Sequence, residues 1–72
     1  MSALSAAEHD GTVTSFDQEV GLGEVTDVHG VAWPFHCIAI ADGSRTIQVG
    51  ASVAFATLPK LGRYEATDIR PR

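Results

Sequence analysis

Val31-Ala32-Trp33-Pro34-Phe35-His36-Cys37, written VAWPFHC, alternates strictly between two kinds of side chain. Val31, Trp33, Phe35 and Cys37 share one parity, and Ala32, Pro34 and His36 share the other. Successive strand residues point to opposite faces, so this period separates a large apolar face from a small or polar one. The segment therefore reads as a strand with Trp33 and Phe35 pointing inward. Pro34 has no amide hydrogen for a ladder, which confines it to an edge, a bulge or a locally unpaired place in its sheet. The pattern recurs at Ser52–Thr57, where Val53 and Phe55 alternate with Ser52, Ala54 and Ala56. Both inner faces belong to one core.

Outward from these two segments, short runs rich in β-branched and aromatic residues are divided by Gly, Asp and Pro at an even spacing. That spacing predicts an all-β fold of five strands, Thr12–Asp17, Leu22–Thr26, Val31–Cys37, Ser52–Thr57 and Tyr64–Ile69. The short links Asp17–Gly21 and Asp27–Gly30 make the first three strands an antiparallel meander. Ile38–Gly50 is a long connection; its Asp42-Gly43 turn and Ile38, Ile40 and Ile47 predict a loop tucked over one end of the fold. A final hairpin turns through Leu58-Pro59-Lys60-Leu61-Gly62. Three meandering strands, a crossover and a hairpin describe the five-stranded antiparallel Greek-key barrel called the OB fold. The expected domain runs over residues 11–70. Residues 1–10 lack a durable period and are expected to form a disordered tail.

Composition narrows the function classes. Seventy-two residues make one small domain, and 44% hydrophobic with 19% charged residues is ordinary for a globular chain. The single cysteine, Cys37, cannot form an internal disulfide, which fits a reducing, cytoplasmic setting. MSALSAAEHD has neither the basic start nor the apolar run of a signal peptide, and no stretch reaches the length of a membrane span. The net charge is −4, and all five Lys and Arg residues, Arg45, Lys60, Arg63, Arg70 and Arg72, lie in the C-terminal part, with no Lys or Arg before Arg45. Tight nucleic-acid binding neutralises many phosphates, and this chain has few cations for it.

Several segments resemble the bacterial cold-shock proteins from Gly11 to Ile69. GTVTSFD is similar to the family's opening Gly-x-Val-x-Trp-Phe-Asn through Gly11, Val13 and Phe16. VGLGEV resembles the first nucleic-acid motif, Lys-Gly-Phe-Gly-Phe-Ile, and FHCIAI resembles the second, Val-His-Phe-Ser-Ala-Ile, through His36, Ala39 and Ile40. RTIQVGASVAF, Arg45 to Phe55, is similar to Arg/Lys-Thr-Leu-x-x-Gly-x-x-Val-x-Phe, and its fixed spacing makes it the most specific match. The resemblance implies an OB barrel that binds single-stranded RNA or DNA, as RNA chaperones do, by stacking bases on rings of the first three strands.

Residue by residue, much of that platform is replaced. The family's tryptophan position is Ser15, the rings of the first motif are Leu22 and Glu24, and those of the second are Pro34 and Cys37. Lysine positions are occupied by Thr12, Thr14 and Val20. Stacking contributes roughly 1–3 kcal/mol per base, so the loss of most rings implies a weakened or shifted face. The candidate nucleic-acid-binding residues are Phe16, Leu22, His36, Arg45, Lys60 and Arg63. Each also has a plainer reading: His36 as a solvated strand histidine, Lys60 and Arg63 as a solvated turn, Arg45 as the partner of a nearby carboxylate.

Chemistry of other kinds finds little to stand on. His36 and Cys37 are adjacent and point to opposite faces, so they are not read as a metal site. No nucleophile has an evident base partner, and the Gly-x-Gly opens no helix. The sequence reads as a non-enzymatic module without cofactor, small-molecule substrate or membrane partner. Two functions are carried forward: weak binding of single-stranded nucleic acid, and a protein-interaction or homodimer surface built on Leu22 and Pro34.

Overall fold

The computed structural model describes residues 8–72 apart from Leu61, with Lys60 described through its backbone alone. The chain is all-β. It forms β1 (Glu8–Asp17), β2 (Leu22–Asp27), β3 (Ala32–His36), β4 (Ser52–Lys60) and β5 (Arg63–Pro71), with one 3₁₀ turn at Cys37–Ala39. All five strands join one antiparallel sheet in the order β3-β2-β1-β4-β5. Pro34 sits on β3, an edge strand, where its missing amide hydrogen leaves no central ladder incomplete. Among the described residues, no helix is long and apolar enough to cross a membrane.

β1 organises the sheet. Its first half, Glu8–Thr12, pairs with β4, while Gly11–Asp17 pairs with β2, and a register shift between Val13 and Ser15 bends it between the two partners. The strand begins at Glu8 rather than Thr12 because Glu8, His9 and Asp10 pair with Ala56, Phe55 and Ala54. Of the expected tail, residues 8–10 thus belong to β1, and residues 1–7 lie outside the described residues. The final hairpin is also tighter than expected. β4 continues to Lys60 and β5 starts at Arg63, with Gly62 supplying a left-handed φ of 89°.

The sheet remains open, since no ladder joins its edges β3 and β5. They nevertheless approach: Ile40 and Ile69 form an isolated parallel bridge, and the amide of Ala41 donates to the carbonyl of Ile69 at 2.8 Å. The core lies on the concave side and consists of Val13, Val25, Phe35, Ile40, Val53, Phe55, Ala66 and Ile69, with Trp33, Phe16, Cys37 and Ile47 packed around it. Each fully buried aliphatic or aromatic side chain contributes roughly 1.5–3 kcal/mol of hydrophobic stabilisation. The long connection does cover one end through Ile40 and Ile47, but Ile38 points outward and is 71% exposed. Val31 is also exposed, because the strand starts only at Ala32 and Val31 still belongs to the turn.

At the other end, Asp27 fixes the β2–β3 turn. One carboxylate oxygen accepts the amides of His29 and Val31 at 2.9 and 3.0 Å, and the second accepts the indole N–H of Trp33 at 2.9 Å. The Trp33 hydrogen bond is the main reason that the carboxyl group titrates below the ordinary aspartate range, with the Val31 amide next. The His9 ring lies between Trp33 and Phe55, at centroid distances of 5.2 and 5.3 Å. This polar knot ties Trp33 to the core although its parity alone would leave the indole N–H unsatisfied.

Candidate nucleic-acid interface

The convex face of β1–β3 is built from two rows of paired residues. Ser15, Glu24 and Pro34 form one row, and Asp17, Leu22 and His36 form the next. Both rows follow from strand parity, since each residue lies two positions from its neighbour along its own strand. A cleft of about 390 Å³ opens beside them, bounded across the sheet edge by Arg63 and Glu65 of β5. Its lining combines apolar Leu22, Pro34 and Phe35 with Ser15, His36, Arg63 and the two acids Glu24 and Glu65.

The glycines in VGLGEV have packing duties here. Gly21 adopts φ 73°, and a Cβ on it would stand 2.9 Å from the Cys37 sulfur. Its amide donates to the Asp17 carbonyl at 2.8 Å and its carbonyl accepts the Cys37 amide at 2.8 Å, while the Asp17 side chain accepts the amides of Glu19 and Val20. Gly23 faces the interior: a Cβ there would lie 2.6 Å from the Ser15 carbonyl oxygen and 2.7 Å from Cζ of Phe35. The bare backbone thus admits the Phe35 ring from within. It is required whether or not a ligand binds outside.

Three of the six candidate residues meet in the cleft: Leu22, His36 and Arg63. Phe16 does not. The register shift after Val13 places Phe16 opposite Gly23 on the inner side, where its ring stacks on Phe35 at 5.9 Å with an interplanar angle of 4°. Arg45 lies in the long loop at φ 62°, exposed and away from the cleft lining. The Lys60 side chain lies outside what is described. Sequence reading did not bring Glu65 to the site, although its parity with Arg63 in β5 places both on one face.

Electrostatics set limits on what the cleft can hold. Arg70 is paired with Glu8 and with Asp68 at 3.0 Å, which raises its already high pKa chiefly through the Glu8 hydrogen bond. Arg72 pairs with Asp10 at 3.2 Å. Arg63 and Arg45 have no ion-pair partner among the described residues. Within the cleft, His36 Nε2 lies 3.9 Å from a carboxylate oxygen of Glu65. Among the described residues, no three His, Cys, Asp or Glu side chains gather as a metal site.

No family model matches this chain, and no curated protein matches it.

Proposed function

We propose that the chain is an OB-type barrel of the cold-shock kind that binds single-stranded nucleic acid weakly through the cleft of Leu22, Pro34, His36 and Arg63. Support for the fold comes from connectivity. The order β4-β1-β2-β3 is that of a Greek key, a bent β1 serves both halves of the sheet, and the Ile40–Ile69 bridge ties β5 to the segment that follows β3. The observation that carries the function is the convergence of His36 of β3 and Arg63 of β5 in one cleft with apolar Leu22 and Pro34. A base can lie on Leu22, Pro34 and the imidazole while Arg63 meets a phosphate; such grooves combine positive charge with flat stacking partners.

Glu24 and Glu65 oppose phosphates, and His36 and the buried Phe35 are the aromatic side chains among the described residues lining this cleft. The affinity is correspondingly low. One or two phosphate contacts give a shallow salt dependence, with a log–log slope of about −0.7 for each contact on a single strand. Fluorescence anisotropy of a labelled single-stranded oligonucleotide tests the reading. Arg63→Ala and His36→Ala should each reduce binding, whereas Arg45→Ala, outside the cleft, should leave it nearly unchanged.

A further inference from the structure

Resting on the reading of the cleft as a single-stranded nucleic-acid site, we propose that Glu24 makes it selective for a guanine base. Glu24 is held in register between Ser15 of β1 and Pro34 of β3, and its carbonyl accepts the Thr14 hydroxyl at 3.3 Å. Glu24 lines the cleft, and its carboxylate has no ion-pair partner among the described residues. Glu65, by contrast, already stands beside His36 with its side chain 15% exposed. The acceptor available to an incoming base is therefore Glu24.

An ionised carboxylate has acceptors only, so it discriminates bases by the donors they present. Unstacked single-stranded bases expose their Watson–Crick edges to such contacts. Guanine presents N1–H and the N2 amino group side by side, two parallel donors for the two carboxylate oxygens, in the same fork geometry that makes arginine–carboxylate pairs strong. Thymine and uracil place their single N3–H between two carbonyl oxygens, which repel the second carboxylate oxygen. Adenine and cytosine set one amino group beside an acceptor nitrogen. Glu24 thus penalises every base to some degree through phosphate repulsion and compensates only guanine. The Pro34 ring beside it and Leu22 in the next row give the base an apolar seat.

The test uses the full chain and labelled DNA hexamers at low salt: all thymine, thymine with one central guanine, and the same with inosine, which keeps N1–H and lacks the amino group. The guanine hexamer should bind about fivefold tighter than the thymine hexamer, at the lower end for a bidentate base contact because Glu24 is solvent-exposed. Inosine should fall between them. Glu24→Gln should abolish the guanine preference while retaining or strengthening thymine binding. Equal binding of the guanine and thymine hexamers, inosine matching guanine, or a preference that survives Glu24→Gln overturns this proposal and leaves the cleft reading standing. Absence of binding by all three hexamers overturns both.

Discussion

The imidazole Nε2 of His36 lies 3.9 Å from a carboxylate oxygen of Glu65, a side-chain contact that bridges β3 and β5, the two edges of the sheet. His36 is half-exposed at this contact and Glu65 largely covered. Their effect falls on the ligand. Glu65→Gln removes a negative charge from the cleft wall and releases His36 to face a phosphate. Oligonucleotide affinity should rise about two- to fivefold. A fall in affinity would show that Glu65 is a ligand contact.

Glu24 stands in register with Ser15 and Pro34 at the centre of the convex face. Glu24→Lys exchanges a repulsive charge for an attractive one. Binding of a thymine oligonucleotide should tighten, and the log–log salt slope should steepen by about 0.7, as one more phosphate contact requires. An affinity and slope identical to wild type would place the strand elsewhere on the molecule.

Gly23→Ala should destabilise the fold by about 1–3 kcal/mol in urea unfolding, the cost of overpacking a filled interior. The new methyl group would meet the Ser15 carbonyl oxygen at 2.6 Å and the Phe35 ring at 2.7 Å, and neither can retreat without moving β1 or the core. Ser15→Ala, at an exposed position on the outer face, should leave the midpoint within the noise. Equal midpoints for Gly23→Ala and wild type would contradict the inward placement of Gly23.

Much of this architecture is legible from parity alone. VAWPFHC correctly separates Phe35 and Trp33 from His36 and Pro34, and the strand at Ser52–Thr57 correctly buries Val53 and Phe55. Phe16 marks where that reasoning stops. A single extra residue at the register shift between Val13 and Ser15 exchanges the faces of everything after it, and nothing in GTVTSFD announces the bulge. The cleft was half legible for a related reason. Leu22 and His36 follow from local alternation, but Glu65 and Arg63 arrive from the far end of the chain by way of the β4–β5 hairpin. Long-range proximity of that kind is set by the approach of the two edges of an open sheet, which no local pattern encodes.

Asp27 gives the fold an acid-sensitive joint. Its folded pKa is lowered, first by the Trp33 indole hydrogen bond and then by the Val31 amide. The stabilisation is therefore present above the ordinary carboxylate range and is lost as pH falls through the depressed folded value. Asp27→Asn should lower the melting temperature at pH 7, and the gap from wild type should narrow steadily in strongly acidic buffer. Trp33 fluorescence follows the same transition. A gap independent of pH would show that the charge on Asp27 is not what the indole and the turn amides hold.

The most direct measurement is an amide chemical-shift titration of the full chain with a short single-stranded oligonucleotide at low and moderate salt. Resonances of Leu22, Glu24, His36 and Arg63 should move together in a saturable way, and less at the higher salt, while Phe16, stacked on Phe35 on the inner side, should move little. No shift at high micromolar oligonucleotide and low salt, or shifts confined to residues outside the cleft, would contradict the account.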